Sequence, residues 1–439
     1  MKVLQVLNHF LPQQTAGTEV YSWALSKELR IKGIEVIVVV PNYGKSTDNE
    51  YEYDGLTVYQ FAEPSVVDRE LIMGFRVADG LKAFTAFLEN EKPDIVHFHE
   101  LAGSNGIGIA HVRVAKKLGL KIVMSFHLSG YSCKTGTLKY KEKSSCDGVI
   151  NRFTCSTCYL HKKGLGVVAP VISLAANLFY KCRIDPRTLK NPIATAFGTA
   201  YIIQDLDDQL HELIELSDQV VCLTHWFKNI LINNKVSEKK ISFIPQGLPT
   251  PNGNEVIRKN KTNKLRLLFL GRISQFKGLH LLIRALESLP ETEIELSIFG
   301  QGDGTDYELN CRERTKDKLN IYWLGTVSQK KVIAEMRKHD LLCLCSTFSE
   351  MSPLVIQEAR AAGLPIIASN VYGNMEQLEN GAGGISFEMN NYQSLKSQLL
   401  KILANRNLLQ QFKNQIEPPT NFQEIGQKYI NIYEKILTK

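Results

Sequence analysis

The sequence predicts an α/β protein built from two doubly wound, Rossmann-like domains. In each half of the chain, apolar runs short enough for buried strands alternate with segments of helical periodicity. A polar stretch after Gly247, rich in Pro, Asn and Lys, separates the halves and has the composition of a linker. With 439 residues, the chain exceeds the roughly 100 to 200 residues of one domain, which favours this division.

The composition is that of an ordinary globular protein, since 44% of the residues are hydrophobic and 22% are charged. The apolar run at the start is broken by Asn8 and His9 before an export signal could form, so it predicts a first buried strand. We therefore expect a cytoplasmic protein whose nine cysteines are thiols or metal ligands rather than disulfides. The net charge of +7 suits anionic partners such as phosphorylated substrates or an acidic membrane surface.

In the first half, a strand, a helix and a second strand are predicted over Lys2–Leu7, Thr18–Ile31 and Glu35–Val40. Further strands are predicted over Asp94–Phe98, Lys121–Phe126, Gln219–Leu223 and Ile241–Pro245. These runs are apolar enough to be buried on both faces of a parallel sheet. The same rhythm restarts after the linker, with a strand over Leu265–Leu270, a helix over Lys277–Leu289, a strand over Glu293–Phe299 and further units near Tyr322, Leu341 and Pro365.

These patterns give the domain boundaries. We predict a first domain over residues 1–247, with a cysteine-containing insertion at about 130–190, and a second domain over residues 248–420. A helix over residues 421–439 is expected to pack back on the first domain. Because ligands bind beyond the carboxyl ends of the strands in such sheets, a substrate cleft is expected between two facing domains, with the linker near residues 247–264 as its hinge.

Two cations follow the first strand of the second half. Arg272 and Lys277 lie in the segment GRISQFKG, beside a predicted helix start. Cations at this place can neutralise a diphosphate leaving group, whose charge grows as its bond breaks. The alternative is a loop with two solvated cations.

The segment from Glu350 to Glu358 has two acids around a helix start. Pro353 suits the first turn of a helix, so backbone amides at the positive end of that helix are expected to bind phosphate and sugar oxygens. The amides concerned are those of Met351, Ser352 and Leu354. The two acids can then hold different hydroxyls of one ligand. The alternative for either acid alone is an ordinary helix with an N-terminal acid and an exposed glutamate.

Together, the spacing Glu-x7-Glu, the preceding Arg-x4-Lys and the following AGLPIIAS resemble the retaining glycosyltransferases of family 4, which have the GT-B fold. Further similar segments are Gly17–Glu19, Pro93–His99, Phe299–Gly302 and Trp323–Val327. The resemblance covers nearly the whole chain, and its second half is the more specific. It implies two facing doubly wound domains and a nucleoside diphosphate sugar as the donor.

The resemblance also implies roles for single residues. Arg272 and Lys277 would contact the donor diphosphate, Glu350 the hydroxyls of the transferred sugar, and Glu358 the ribose. The full donor set that it implies is Gly17, Arg272, Lys277, Gly302, Val327, Glu350, Met351, Ser352, Pro353, Leu354 and Glu358. In that set, backbone around Gly302 and Val327 would frame the base. Gly17 would let an amide approach the phosphate, although Ala16 stands where many relatives have a second glycine.

His127 closes the predicted strand Lys121–Phe126 at its carboxyl end, where the family similarly places a histidine near the donor sugar and the reacting centre. His97 and His99 are weaker candidates, because both would point to one face of a strand that is simply packed. Family members retain the anomeric configuration by a front-face route without an enzymic nucleophile, so positioning and leaving-group charge carry the catalysis. The predicted catalytic residues are His127, Glu350, Arg272 and Lys277. No divalent cation or other cofactor is then required for catalysis.

Four cysteines lie in the insertion of the first domain: Cys133, Cys146, Cys155 and Cys158. Four thiolates within so short a segment can close a tetrahedral zinc site, although only one Cys-x2-Cys pair is present. We expect a structural zinc ion there, with free thiols as the first alternative and an iron–sulfur cluster as the second. Its role would be to order an acceptor-binding insertion.

The stretch Gly164–Tyr180 is weakly polar, and Pro170, Ser173 and Asn177 interrupt it, so we expect no membrane-spanning helix there. A buried helix is the favoured interpretation. The alternative is a helix that lies on a membrane, at the inner face of which the protein would reach a lipid-linked acceptor, because basic residues flank the stretch.

These observations predict a retaining glycosyltransferase that moves a sugar from a nucleoside diphosphate sugar to a glycan or lipid-linked acceptor, in the synthesis of a cell-surface polysaccharide or glycoconjugate. The alternatives are a nucleotide-sugar epimerase or a phosphorylase on the same fold, and a non-catalytic, zinc-containing binding protein. Nucleic acid is not an expected partner, because the basic residues are dispersed and no basic stripe interleaved with aromatic residues is present.

Overall fold

The computed structural model describes residues 1–101, 105–249, 263–302 and 304–438. Their contacts form two compact units. Unit 1 comprises Met1–Pro245 and Phe422–Lys439, and unit 2 comprises Gln246–Asn421. The predicted boundaries after residues 247 and 420 therefore lie within about two residues of the observed ones. Residues 250–262, most of the predicted linker, lie outside the described residues.

Unit 1 contains a sheet of eight strands in the order β10-β9-β6-β5-β1-β2-β4-β3. Neighbouring strands are parallel, except that β3 runs antiparallel to β4. The strands are β1 (Lys2–Val6), β2 (Glu35–Tyr43), β3 (Asn49–Tyr53), β4 (Leu56–Glu63), β5 (Ile95–Phe98), β6 (Lys121–Phe126), β7 (Lys139–Tyr140), β8 (Ser144–Ser145), β9 (Gln219–Cys222) and β10 (Ile241–Phe243), of which β7 and β8 form a separate pair. The central strands are buried along their whole length, as expected for parallel strands covered on both faces.

The helices of unit 1 that precede the second sheet are α1 (Gly17–Ile31), α2 (Arg69–Ile72), α3 (Leu81–Glu91), α4 (Ile109–Lys117), α5 (Arg152–Leu160), α6 (Ala169–Lys181), α7 (Pro192–Phe197), α8 (Thr199–Leu216) and α9 (His225–Asn233). Helix α1 covers one face of the sheet, where Leu25 shares a core with Val3 and Ile95. Helices α3 and α4 cover the other, where the ring of Phe84 packs against Phe98. The edge pair β3 and β4 was not predicted, because their alternating burial gives them a weaker apolar signal than the central strands.

Unit 2 contains a sheet of six strands in the order β13-β12-β11-β14-β15-β16, all parallel. The strands are β11 (Leu265–Leu270), β12 (Ile294–Phe299), β13 (Ile321–Trp323), β14 (Leu341–Leu344), β15 (Ile366–Ser369) and β16 (Gly384–Phe387). The helices are α10 (Leu279–Leu286), α11 (Asp306–Glu313), α12 (Val332–Met336), α13 (Leu354–Ala362), α14 (Tyr372–Gln377), α15 (Tyr392–Ala404) and α16 (Asn407–Asn414). Successive side chains of β11 point to opposite faces, so that Leu267 packs with α10 and α15 and Leu268 with α12 and α13.

The last helix, α17 (Phe422–Leu437), follows unit 2 in sequence and belongs to unit 1. Its apolar side, including Ile425 and Ile436, is buried in the same core as α1. Two buried tyrosines on this helix reach the strands of unit 1: Tyr429 bonds Ser125 of β6, and Tyr433 bonds His97 of β5. The last helix therefore completes the polar interior of unit 1.

The insertion between β6 and β9 contains the β7–β8 pair and helices α5 to α8. A helical run over Arg152–Lys181 is long and apolar enough, by length and composition, to cross a membrane. Only 17% of its most apolar stretch of 18 residues is buried. The favoured prediction of a buried helix over Gly164–Tyr180 is thus wrong. The run is also not one straight helix, because Gly164 adopts a φ of 87° and interrupts it between α5 and α6.

Candidate functional site

The cation and the acid predicted to serve the donor meet at the carboxyl end of the unit 2 sheet. Lys277 follows β11 in a short 3-10 turn, and its Nζ lies 2.5 Å from Oε2 of Glu350. The turn fits here because Gly278 has a φ of 69° and a Cβ at that position would lie 1.9 Å from the Cys345 carbonyl oxygen. The sequence GxxxxxKG therefore brings Lys277 to the end of β14, where Glu350 begins the next loop.

The Glu350 carboxylate is held on both of its oxygens. Ser346 Oγ donates to Oε1, while Lys277 bonds Oε2. The support continues below, since Ser369 Oγ donates to the Ser346 carbonyl oxygen at 2.6 Å. Gly373 permits this packing, because a Cβ there would lie 2.1 Å from the Glu350 carbonyl oxygen. A buried carboxylate with two fixed donors is pre-oriented rather than mobile.

Helix α13 begins one residue later than predicted. Pro353 is the N-cap, with a φ of −61° and a ψ of 119°, and the helix starts at Leu354. The first amides of any helix lack intrahelical partners, so the positive end of α13 still faces the loop that carries Glu350. The N-cap makes no side-chain hydrogen bond. The amides of Met351, Ser352 and Leu354 thus belong to the turn into this helix, as expected, although the proline lies just outside it.

Glu358 lies about one turn inside α13 and is buried, which excludes the alternative of an exposed glutamate. Gln329 Nε2, from the loop that follows β13, donates to its Oε1. Burial raises the pKa of Glu358 to about 7, and the Gln329 bond opposes that shift. A buried carboxyl whose pKa is raised to near neutrality is typical of a ligand-binding position.

Three further predicted donor residues, Arg272, Gly302 and Val327, lie on neighbouring loops of unit 2. Arg272 is exposed directly after β11. Val327 follows β13 and is half-buried against the core shared with α12 and α13. At Gly302 a Cβ would lie 1.8 Å from Oε2 of Glu308, a carboxylate that also accepts the Gly304 amide at 3.0 Å. The glycine at 302 therefore has a packing reason in addition to any role beside a base.

In unit 1, His127 lies at the end of β6, as predicted, and is part of a hydrogen-bonded chain. His99 Nδ1 lies 3.0 Å from Nε2 of His127, and His99 Nε2 faces the side-chain amide of Gln5. Burial lowers the pKa of His127 to about 3. His127 is therefore neutral, and its bond to His99 fixes the orientation of its ring.

His97 and His99 are fully buried, as expected for side chains on a packed face of the strand. His97 bonds Tyr433 Oη at 2.8 Å through Nδ1 and Ser125 Oγ at 2.7 Å through Nε2. Burial holds the pKa of both histidines well below the usual range, and the neighbouring histidines add to that shift. Both rings are therefore neutral; His99 bonds His127 directly, and His97 packs against His99 with ring centroids 4.1 Å apart.

Sequence reasoning missed Glu100, which follows His99 at the end of β5. Glu100 is buried, and burial raises its pKa to about 7, with a further contribution from the charge of Glu19. Asn8, at the end of β1, bonds Glu100 and opposes the shift. The sequence contained one signal for this residue, its position after a strand. Asn8 and Glu100 both follow parallel strands whose carboxyl ends meet at one edge of the sheet.

Gly17 is the first residue of α1 and is exposed. A Cβ at this position would meet nothing within 4 Å, so the fold of unit 1 does not itself demand a glycine. The preceding Ala16 is the N-cap and makes no side-chain hydrogen bond. The positive end of a helix of 15 residues is thus left accessible, which is compatible with the predicted approach of a phosphate.

The four cysteines of the insertion are free and partly buried. Burial raises the pKa of Cys155 to about 11, and the charges of the other three thiols add to that shift. Within the part of the chain that the structure describes, no three His, Cys, Asp or Glu side chains form a group that could hold a metal ion. The four thiols lie close enough for their charges to interact, and zinc at these cysteines stays a prediction from the sequence.

Comparison with known families divides the chain in the same way. The protein-family model "Glycosyltransferase Family 4" matches residues 15–196, and the protein-family model "Glycosyl transferases group 1" matches residues 254–417. Among curated relatives, the chain is 27% identical over 237 residues to an uncharacterized glycosyltransferase, MJ1069, of Methanocaldococcus jannaschii. That match covers 51% of this chain and 60% of the relative.

Solved structures of similar fold extend over the whole chain. Sucrose-phosphate synthase from Thermosynechococcus elongatus has a TM-score of 0.66 at 14% identity, and the match covers 100% of this chain and 99% of that one. Anabaena Alr3699/HepE in complex with UDP and glucose has a TM-score of 0.59 at 14% identity, covering 99% and 98%. At such identities the likeness shows the fold alone. With the family matches, it shows that the chain belongs to the family 4 and group 1 glycosyltransferases and is a transferase enzyme of the GT-B fold.

Proposed function

We propose that this enzyme is a retaining glycosyltransferase that takes a sugar from a nucleoside diphosphate sugar and passes it to a glycan or lipid-linked acceptor. The observation that carries the proposal is the Lys277–Glu350 pair in front of α13. A cation, a fixed carboxylate and a helix N-terminus thus meet at the carboxyl end of the unit 2 sheet. In this proposal the cation and the helix N-terminus bind the diphosphate, and the carboxylate binds the sugar hydroxyls.

Leaving-group charge is the main barrier that this arrangement can lower. As the glycosidic bond to the diphosphate breaks, negative charge grows on the phosphate oxygens, and a fixed ammonium group stabilises that charge more than it stabilises the ground state. Lys277 is positioned for this by its bond to Glu350. Arg272, exposed after the same strand, supplies a second cation. We propose that these two side chains replace a divalent cation in neutralising the diphosphate.

Retention by a front-face route is supported by the hydrogen bonds of Glu350, the carboxylate expected at the sugar. Both oxygens of Glu350 are already hydrogen-bonded, one by Lys277 and one by Ser346, which lowers the reactivity of this carboxylate. Such a group orients a sugar better than it attacks one. In this proposal the acceptor oxygen attacks on the face that the diphosphate leaves, and the leaving phosphate accepts the acceptor proton.

The proposed donor is supported by one structural neighbour, Anabaena Alr3699/HepE. One of its structures is a complex with UDP and glucose, and another is a complex with UDP-glucose. We extend the nucleoside diphosphate part of that description to this chain, with Glu358 on the ribose. The use of the product in a cell-surface polysaccharide or glycoconjugate is part of the same proposal.

The decisive experiment incubates the protein with a panel of nucleoside diphosphate sugars, in buffer with a chelator, and measures thermal stabilisation and slow donor hydrolysis. We expect one donor class to stabilise the wild type and to be hydrolysed. Glu350→Ala should lose hydrolysis by about 10²- to 10³-fold. The matched control is Glu313→Ala, which removes an exposed acid of the same unit.

Three results would contradict the proposal. The first is a panel in which no donor stabilises the wild type. The second is a Glu350→Ala protein that equals the control. The third is a product other than the free sugar: an epimerised donor would favour an epimerase, and release of a sugar phosphate only with added inorganic phosphate would favour a phosphorylase.

A further inference from the structure

Helix α6 has its small residues inside and its large apolar residues outside. Ala169, Ser173 and Ala176 are fully buried where α6 packs against α5 and α8. The opposite side presents Val171, Leu174 and Leu178, which are between 62% and 70% exposed. These three are spaced by three and four residues, so they form one continuous stripe. A soluble helix normally has the reverse distribution, and the stripe therefore needs a partner.

The apolar surface continues before and after this stripe. Val167, in the turn that leads into α6, is 95% exposed, and the neighbouring Val168 is 51% exposed. After the helix, Ile184 is also exposed, and so are Leu189 and Ile193 on the next two short helical segments. Exposed apolar residues are thus concentrated in one insertion of unit 1. Single exposed apolar residues are normal, but such a concentration marks an interaction surface.

The charges around this surface have one sign. No Asp or Glu occurs between Asp147 and Asp185, whereas that segment contains five basic residues. They are Arg152, Lys162, Lys163, Lys181 and Arg183. Lys163 is exposed before α6, and Lys181 and Arg183 are exposed after it. The apolar stripe therefore has exposed cations at both ends, which suits a planar, anionic surface.

A second copy of the chain fits this surface less well than a lipid bilayer does. In a symmetric dimer through α6, the cations at its ends would face one another or face the same apolar stripe. The segment itself contains no acid that could pair with them across such an interface. Like charges across an interface cost free energy, whereas anionic headgroups at a bilayer surface would neutralise them.

The same contacts show why the segment would lie on a bilayer rather than cross it. Helix α6 has 13 residues, about 20 Å of helix, against a hydrocarbon core of about 30 Å. Its inner side is occupied by protein contacts. The break at Gly164 folds α5 back against α6 instead of extending it. We infer that unit 1 docks on anionic membranes by inserting the outer stripe of α6 into the headgroup region.

The test is sedimentation of the full-length protein with vesicles of phosphatidylglycerol and phosphatidylcholine, compared with pure phosphatidylcholine. We expect binding to the anionic vesicles that weakens as salt is raised. The triple change Val171→Ser, Leu174→Ser, Leu178→Ser should lower the apparent affinity by more than about tenfold, since each lost side chain removes buried apolar area. Lys181→Gln with Arg183→Gln should lower it by about fivefold or more.

The matched control is Leu319→Ser, which removes an even more exposed leucine in unit 2 and should leave vesicle binding unchanged. Thermal unfolding and donor hydrolysis of every variant should match the wild type, because the changed side chains are exposed; this readout also keeps the inference separate from the proposed function. Two results would overturn it. One is wild-type protein that stays in solution with anionic vesicles. The other is a triple variant that still sediments with anionic vesicles, or one whose only change is the loss of a dimer that the wild type forms in solution.

Discussion

The two sheets end in polar clusters of opposite character. In unit 2 the cluster is charged: an ammonium and a carboxylate lie 2.5 Å apart beside a helix start. In unit 1 it is neutral: of three buried histidines with lowered pKa values, His99 and His127 bond each other, His99 also bonds a glutamine, and His97 bonds a serine and a tyrosine. The first arrangement is suited to stabilising a changing charge, and the second to holding a side chain in one orientation and one tautomer.

Each unit nevertheless contains a buried carboxyl whose pKa is raised to near neutrality. Burial raises the pKa of Glu358 in unit 2 and of Glu100 in unit 1 to about 7. Their neighbours differ, because Glu358 is bonded by the amide of Gln329, whereas Glu100 feels the charge of Glu19. The comparison thus predicts that the two units respond differently when charge or protonation is altered.

The largest effect should come from removing the cation of unit 2. Lys277→Met keeps the length of the side chain and should lower donor turnover by about 10²- to 10³-fold, because the growing charge on the diphosphate loses its fixed partner. Turnover is measured with saturating donor. Lys316→Met, which removes a lysine paired with exposed Glu313, is the control and should retain full activity.

A double variant separates a ligand role from a purely structural ion pair. If Lys277 only compensates the charge of Glu350, then Lys277→Met combined with Glu350→Gln should recover both stability and turnover. If Lys277 binds the diphosphate, stability returns and turnover stays low. Recovery of turnover would remove the contrast between a charged reacting cluster and a neutral supporting one.

This contrast also explains what the sequence could predict. The residues of the unit 2 cluster lie in short segments at strand ends, so Lys277, Glu350 and Glu358 were found from local spacing. Even there, the exact helix start and the burial of Glu358 depend on contacts with Gln329 and could not be derived from spacing. The two sheets followed from apolar periodicity, except for β3, β4 and β16, which were not predicted.

The unit 1 cluster is assembled from parts of the chain that are far apart. His127 could be predicted because it directly follows a strand. Its hydrogen bond to His99, and the bond from His99 to Gln5, join residues that are far apart in the sequence. The hydroxyl groups of Tyr429 and Tyr433 arrive from a helix more than 300 residues further along. No local pattern records such contacts. The exposed side of α6 was missed for a related reason, since periodicity shows a stripe and not which way it faces.

A smaller effect should distinguish the two carboxyls. If the Glu358 carboxylate accepts hydrogen bonds from ribose, wild-type donor affinity should weaken as the pH falls through about 7. Glu358→Gln should bind donor about tenfold more weakly at pH 8 and show no such dependence, because a charged acceptor is worth more than a neutral one. Glu100→Gln should retain the wild-type pH dependence. Isothermal titration with the donor at pH 6, 7 and 8 measures both.

Stability gives an independent check with a defined sign. A carboxyl whose pKa rises from 4.5 to about 7 on folding destabilises the folded state above pH 7, and the cost disappears below about pH 4.5. Glu358→Gln should therefore raise the free energy of unfolding at pH 8 by up to about 3 kcal/mol and by much less at pH 5. Glu100→Gln should show the same sign. An increase of equal size at both pH values would contradict these titrations.

The smallest effect tests the neutral cluster. Tyr433→Phe removes the hydroxyl that bonds His97 at 2.8 Å and leaves one ring nitrogen of a buried histidine without that partner. The free energy of unfolding should fall by about 1 to 2 kcal/mol, the usual cost of such a loss. Urea unfolding with an unchanged slope measures it, with Tyr322→Phe at an exposed site of unit 2 as the control. Donor binding should be the same in both variants, because the lost hydroxyl bonds His97 and neither His99 nor His127. A donor affinity that falls in Tyr433→Phe but not in Tyr322→Phe would show that the hydrogen bonds of His97 affect donor binding.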